Sequence, residues 1–287
     1  MNVAVIGAGT VGTAIAVLLE RAGHRIVGIS GRAETRGRAS SYLPGVPFLE
    51  PAAAAAQAEL VVIGTPDDVI EQTAEALAVA AAVGPGTVVT HLSGSLGLEV
   101  LRTAGEAGAR ILAIHPLQTF PDVDSALEGM PGCPIAVTAE DDDGSLLGEQ
   151  LAGDVQGVPF LLANDLRPLY HAAAVFASNY LVTTSAIAES LFAAAGVPDA
   201  SRAMAPLQRA SLEHVEHRGS AHALTGPAVR GDAGTIRRNL EALERHAPGL
   251  VPPYVAMARA TLDLAERSGR LPSRSRVAVE DVLDAWS

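Results

Sequence analysis

Three groups of polar side chains in this sequence have the residue types needed for chemistry on a small molecule. They are His91 with Ser93 and Ser95, His115 with Gln118, and His171 with Ser178 and Asn179. Histidine transfers protons in both directions near neutral pH, and serine or asparagine can donate a hydrogen bond to an oxygen that gains charge. Each group also has a structural interpretation, because a histidine at a strand end can bond to its own loop and a helical serine to its own helix.

The first dozen residues predict what such groups would work with. An apolar run, Asn2 to Ile6, leads into a glycine-rich turn, and an alanine-rich helical pattern follows from Val11 to about Ala22. The turn reads Gly7-Ala8-Gly9-Thr10-Val11-Gly12. This G-x-G-x-x-G spacing between a strand and a helix is typical of dinucleotide binding, with the pyrophosphate at the helix N-terminus.

The end of the second predicted strand, Arg25 to Ser30, favours one cofactor. NAD-binding folds usually carry a carboxylate there, bonded to the ribose hydroxyls. Here the tip reads Ser30-Gly31-Arg32, with no carboxylate before Glu34. Ser30 and Arg32 suit a 2′-phosphate, so NADP(H) is the predicted cofactor. The alternative is that Arg32 is simply a solvated loop arginine.

Strand-like and helical patterns alternate up to about residue 163. This alternation predicts an α/β fold with a doubly wound, mostly parallel Rossmann-like sheet over residues 1–163. Thr65 and Pro66 follow the strand Glu59 to Gly64, at the edge where such sheets bind ligands. Residues 164–287 predict an all-helical substrate and dimerisation domain. Its first helix is expected to run unbroken from Arg167 to Ala195, buried on much of its surface.

A loop in the helical part adds candidates for substrate binding. Thr225, Arg230 and Asp232 are polar residues among glycines and a proline that fix the loop's shape. Arg230 could hold a substrate carboxylate through two parallel hydrogen bonds. The alternative is that Arg230 and Asp232 form a pair that caps the helix starting near Ala233.

Composition excludes several classes of function. The formal net charge of −12 disfavours nucleic acid and anionic membranes as partners. A single cysteine, Cys133, fits a reducing compartment, and neither a signal peptide nor a membrane span is indicated, so a cytoplasmic protein is expected. No metal site is predicted. All 20 basic residues are arginines, so lysine cannot be the proton donor.

Taken together, five motifs resemble a known group of proteins. They are the glycine turn, His91-Leu-Ser-Gly94, His115-Pro-Leu-Gln118-Thr-Phe120, Tyr170-His-Ala-Ala-Ala-Val-Phe-Ala-Ser-Asn179 and Leu224-Thr-Gly-Pro-x-x-Arg-Gly-Asp232. The sequence is similar to Rossmann-like oxidoreductases that end in the domain of unknown function 2520. Broader relatives are ketopantoate reductase, pyrroline-5-carboxylate reductase and 3-hydroxyisobutyrate dehydrogenase. The resemblance implies NADP-dependent reduction and a homodimer joined through the helical domains.

One departure from these relatives affects the mechanism. The hydroxyisobutyrate-type enzymes carry an acid–base lysine four residues before an asparagine, and Val175 occupies that place here. His171, one turn earlier, is the nearest substitute. We therefore expect a reductase of a small carbonyl acid, with ketopantoate as the named substrate, His171 as proton donor, and Asn179 and Ser93 as donors to the substrate oxygen. Reduction of a cyclic imine and a non-catalytic NADP-binding regulator are the alternatives.

Overall fold

A computed structural model of the chain describes residues 1–286, which form two compact units, Met1–Tyr180 and the part from Leu181 onward. A seven-stranded sheet organises the first unit, in the order β2-β1-β3-β4-β5-β6-β7. Its strands are β1 (Asn2–Ile6), β2 (Arg25–Ser30), β3 (Leu60–Ile63), β4 (Val88–His91), β5 (Arg110–Pro116), β6 (Pro134–Ala139) and β7 (Val158–Leu161). All neighbouring pairs are parallel except β5 and β6. The predicted α/β class is confirmed.

Helices cover both faces of this sheet. They are α1 (Thr10–Arg21), α2 (Ala33–Tyr42), α3 (Pro51–Ala55), α4 (Ile70–Val79), α5 (Arg102–Glu106), α6 (Val123–Gly129) and α7 (Asp142–Asp154). One apolar core joins the sheet to α1 and α7 through side chains such as Leu18 and Leu151. A second core joins it to α3, α4 and α5 through side chains such as Ile70 and Ala104. Two cores on opposite faces are the signature of a doubly wound fold.

Strand order reverses between β1 and β3, which defines the crevice where ligands of such sheets bind. Parallel pairing sets Ile6 beside Ile63, and Ile63 beside His91. The residues just after these strands therefore emerge together at one edge. In this way the fold collects Thr65, Ser93 and His115, which lie far apart in the sequence.

The predicted continuous helix from Arg167 to Ala195 is wrong. The structure has two helices, α8 (Arg167–Ala177) and α9 (Asn179–Ala194), because the backbone of Ser178 leaves helical geometry at φ −122° and ψ −69°. Neither glycine nor proline marks the break in the sequence. The expected burial is wrong for the single chain as well, since α9 has no buried residue and Phe176 on α8 is 69% exposed.

The second unit is helical, as expected. After α9 it contains α10 (Ala200–Arg218), α11 (Ser220–Ala223), α12 (Pro227–Arg230), α13 (Ala233–His246), α14 (Val251–Arg267) and α15 (Ser273–Asp284). Its core is built mainly from α13, α14 and α15, with Leu240, Leu262 and Val279 fully buried. Across residues 1–286, none of the helices has the length and apolar character to cross a membrane.

Candidate functional site

Two glycines of the first turn are required by packing alone. Gly7 has φ +111°, and a Cβ there would lie 2.5 Å from the carbonyl carbon of Gly64. A Cβ on Gly12 would lie 2.2 Å from the carbonyl oxygen of Gly7. Real Cβ atoms do not approach this closely, so α1 can pack against β1 and β3 only when both positions are glycine.

Gly9 is different, because the protein itself does not require glycine there. Its φ of −73° suits any residue, and a Cβ at this position would meet no atom within 4 Å. The space above it is open, at the N-terminus of the twelve-residue α1. A pyrophosphate must approach the free N–H groups of the helix closely, and the missing side chain at Gly9 leaves room for it to do so. The turn therefore fits a dinucleotide.

The residues predicted to select NADP(H) over NAD(H) lie at the end of β2. Ser30 is 3% exposed, and its carbonyl accepts hydrogen bonds from the N–H groups of Gly7 and Ala8, which fastens β2 to the glycine turn. The Arg32 side chain is 81% exposed and lies 3.0 Å from a carboxylate oxygen of Glu34. Such an exposed pair is weak, so Arg32 can exchange it for a phosphate at little cost.

An open cavity of about 180 Å³ lies beside this turn, at the reversal of strand order. It is lined by Val11, Gly64, Thr65, Asp67, Leu92, Ser93, His115, Pro116, Gln118 and Phe120. The Thr65 hydroxyl is buried and has no hydrogen-bond partner among the described residues. The cavity therefore holds four predicted site residues besides Val11, namely Thr65, Ser93, His115 and Gln118.

Asp67 organises one wall of the cavity, and the sequence interpretation missed it. Its Oδ2 accepts hydrogen bonds from the hydroxyls of Ser93, at 2.7 Å, and Ser95, at 3.1 Å. The Ser93 hydroxyl accepts in turn from the N–H groups of Ser95 and Leu96. Since its one proton goes to Asp67, the expected role of Ser93 as donor to a substrate oxygen does not match the hydrogen bonding that the structure gives it.

Arg167 is the other residue that the sequence interpretation missed. It is fully buried at the start of α8, yet no carboxylate contacts it within the described chain. Its guanidinium donates to the carbonyl oxygens of Ser93 and Leu96 and to the Thr138 hydroxyl. Burial lowers the pKa of Arg167 from its ordinary value, but arginine stays charged in proteins. An arginine opening a strongly apolar helix was the only sequence signal.

His91 has the structural role that was the alternative to catalysis. It is fully buried, its Nδ1 accepts from the Ser93 N–H at 3.2 Å, and its Nε2 lies 3.0 Å from the Gly97 carbonyl oxygen. An acceptor Nδ1 makes Nε2 the protonated nitrogen, so His91 is neutral and bridges the loop that follows β4. Burial, assisted by the charge of Arg167, lowers its pKa to about 4.

His115 and His171 lie together, and only His115 lines the cavity. His115 Nδ1 is 2.8 Å from the hydroxyl of Tyr170, and its ring centroid is 6.4 Å from that of His171. A Cβ on Gly94 would lie within 2.9 Å of both imidazoles, so only glycine fits between them. Burial and the charge of Arg167 lower the pKa of His115 to about 4, which makes it a neutral hydrogen-bonding group at pH 7.

The remaining predicted residues lie elsewhere. Ser178 forms the break between α8 and α9, and Asn179 is the first residue of α9. Thr225 and Arg230 are exposed residues of the second unit. Asp232 caps α13, with one oxygen accepting from the Thr235 N–H at 2.9 Å and the other from its hydroxyl at 2.7 Å. That is the capping alternative, although its partner is Thr235 and not Arg230.

Comparison with known proteins agrees with both halves of this architecture. Residues 1–116 match the description of a Rossmann-like domain, and residues 133–261 match the domain of unknown function DUF2520. The chain therefore contains one region that matches a Rossmann-like domain and another that matches DUF2520. No curated protein matches it by sequence. The DUF2520 match begins at Cys133, within the first unit, so it includes β6, β7 and α8 as well as helices of the second unit.

Solved structures share this fold at low identity. A candidate NADP oxidoreductase from Bacteroides fragilis is 22% identical with a TM-score of 0.76, over 91% of this chain and 98% of its own. An imine reductase from Myxococcus stipitatus in complex with NADP+ is 16% identical with a TM-score of 0.63, over 94% of each chain. A reductive aminase from Aspergillus terreus in complex with NADPH and ethyl levulinate is 19% identical, with a TM-score of 0.62 over 100% of this chain and 99% of its own.

The neutral, buried His91 predicts a dependence of stability on pH. Its pKa is about 4 in the folded protein against 6.5 in the unfolded chain, so the unfolded state binds more protons between these values. The stability that His91 contributes is therefore fully present above pH 6.5 and is lost as the pH falls towards 4. The loss is on the order of 3 kcal/mol. Urea unfolding at several pH values should show that the free energy of unfolding depends less steeply on pH in His91→Gln than in the wild type. An identical dependence on pH in the two proteins would contradict this assignment.

Proposed function

We propose that this protein is an NADPH-dependent reductase of a small molecule, acting on a C=N or C=O double bond. The observation that carries the proposal is Gly9, whose missing side chain serves no packing need and leaves room at the N-terminus of α1. The adjoining cavity supplies the second requirement, a pocket with polar groups at the reversal of strand order. The ligands named for the imine reductase and the reductive aminase, NADP+ and NADPH, support the choice of cofactor.

In this proposal the chain's residues divide into two sets. The turn that binds the pyrophosphate consists of Gly7, Gly9, Thr10, Val11 and Gly12. The edge that faces this turn after β3 consists of Thr65 and Pro66. The 2′-phosphate is bound by Ser30 and Arg32. NADPH, when bound, supplies a hydride. His115 and Gln118 orient the reacting bond through hydrogen bonds from the cavity wall, and His171 supplies the proton. Asn179 remains the proposed second donor, while Ser93 is assigned to holding Asp67.

Two kinds of substrate are compatible with this site. A cyclic imine is supported by the imine reductase among the structural neighbours. A carbonyl acid such as ketopantoate is the other, as the sequence motifs led us to expect. Both reactions deliver hydride to a carbon bonded to a nitrogen or oxygen atom that must be held in place, and the proton from His171 is needed for a carbonyl substrate.

Equilibrium titration with NADPH and NADH tests the cofactor assignment. Gly9→Ala should weaken the binding of both cofactors by at least about tenfold, because the added Cβ occupies the space that the pyrophosphate needs. Arg32→Ala should weaken the binding of NADPH but not that of NADH, since NADH lacks the 2′-phosphate. Gly153→Ala, a helix glycine of α7 with equally open surroundings, is the control and should change neither affinity. Unchanged binding in Gly9→Ala would remove the basis of the proposal.

An NADPH-oxidation screen over keto acids and cyclic imines tests the reaction. The panel contains ketopantoate, pyrroline-5-carboxylate and 1-pyrroline, and turnover of any member supports a reductase. On a keto-acid substrate, His171→Ala should then lower kcat by at least about tenfold while the Kd for NADPH stays unchanged, because a lost proton donor slows only the chemical step.

The same measurements distinguish the non-catalytic alternative. Tight NADPH binding without oxidation across the whole panel would favour an NADP-binding regulator over an enzyme. A His171→Ala protein with the wild-type kcat on a turned-over substrate would leave the reductase standing but take His171 out of the mechanism.

We infer that the protein is a homodimer joined through its helices. Leu169 and Phe176 on α8 and Val182 on α9 are each at least 68% exposed, and large apolar groups at such density are usually covered by a partner. Light scattering should give twice the mass of one chain, and Phe176→Glu with Val182→Glu should reduce it to a monomer. Leu146→Glu, at an equally exposed site on α7, should leave the dimer intact. A monomeric wild type would refute the inference.

A further inference from the structure

The Asp67 carboxylate is held in a defined orientation at the cavity. Its Oδ2 accepts from two serine hydroxyls, Ser93 and Ser95, at 2.7 and 3.1 Å. Its Oδ1 has no partner among the described residues, and the side chain is exposed at the cavity wall. Asp67 opens the turn leading into α4, yet the hydrogen bonds of its carboxylate go to the loop after β4 and not to its own helix. One oxygen is thus fixed by the protein, and the other is left without a partner on the described chain.

Asp67 also sets the sign of the charge in the cavity. Among the described residues that line it, Asp67 is the only one with a charged side chain, since His115 is neutral at pH 7. Arg167, a buried cation, donates to the carbonyl oxygens of Ser93 and Leu96 and does not line the cavity. A ligand in the cavity therefore meets a carboxylate and neutral hydrogen-bonding groups. Such a site favours a cationic group and disfavours an anionic one.

We propose that Asp67 selects substrates that carry a positive charge at the reacting group, namely iminium ions, over carbonyl compounds. This inference rests on the proposed reductase function and specifies the substrate class of the same site. The hydride adds to the iminium carbon, the C=N π pair becomes the lone pair of nitrogen, and nitrogen keeps its proton. The products are a neutral amine and NADP+, so the charge that Asp67 stabilises on the substrate is transferred to the oxidised cofactor.

The charge of Asp67 can be separated from its structural role. In Asp67→Asn the amide oxygen still accepts from Ser93 and Ser95, so the tie between the two loops is kept while the negative charge is removed. Asp68→Asn is the matched control, since it removes the same charge from the next residue, which is exposed and does not line the cavity. Thermal unfolding of both variants checks that the fold is intact.

The decisive comparison uses 1-pyrroline, which is an iminium ion when protonated, and cyclopentanone, its neutral carbonyl counterpart of the same ring size. Asp67→Asn should lower kcat/KM for 1-pyrroline by about tenfold and leave cyclopentanone and the Kd for NADPH unchanged. Asp68→Asn should change neither substrate. An equal loss on both substrates, or a raised Kd for NADPH, would overturn the proposal, because Asp67 would then act through positioning or through the cofactor.

A binding measurement keeps this result independent of turnover. Calorimetric titration of the protein with pyrrolidinium chloride should give an affinity that falls about tenfold in Asp67→Asn and is unchanged in Asp68→Asn. If the wild type oxidises NADPH with no member of the panel but still shows this difference, the reductase proposal fails while Asp67 remains a cation site. If pyrrolidinium binds wild type and Asp67→Asn equally, the cation site is refuted whatever the enzyme reduces.

Discussion

A buried guanidinium without a carboxylate partner is the constraint on which the site depends. Arg167 has no exposed surface, and its charge is compensated by two carbonyl oxygens and a hydroxyl. Burying a charge in this way is costly unless its hydrogen bonds are made, so the loop that provides the carbonyls is held where those bonds require it. That loop carries Ser93 and Ser95 into contact with Asp67. It also places Gly94 against His115 and His171.

The same charge explains why the histidines of this site are neutral. Arg167 adds to desolvation at both His91 and His115, and each has a pKa of about 4. Because they are neutral, His91 can bridge a loop with one donor and one acceptor nitrogen, and His115 can form a hydrogen bond without repelling a cation. The cavity therefore takes its charge from Asp67 alone among the described residues that line it. The buried arginine thus holds the loop in place and helps to keep both histidines neutral.

The sheet was the most predictable part of the protein. Strand runs such as Leu60–Ile63, which ends at Gly64, are short and apolar, and a parallel sheet buries both faces of each strand. The glycine turn was equally predictable, because a Cβ on Gly7 or Gly12 would collide with backbone atoms and no residue other than glycine fits. The break at Ser178 was not predictable, since the Ser178 N–H still donates the ordinary helical hydrogen bond to the Ala174 carbonyl oxygen and no glycine or proline marks the position.

What the sequence by itself determined was the edge at which the site forms and the turn that fits a dinucleotide. Both follow from local rules of backbone geometry and strand polarity, which act over a few residues. What only the tertiary structure decided was the role of each polar side chain. Ser93 donates to Asp67, 26 residues away, and Arg167 donates to the carbonyl oxygen of Ser93 across 74 residues. Hydrogen-bond partners far apart in the chain leave no periodic pattern, so residue types alone could not distinguish a group that holds the loop from a group that meets the substrate.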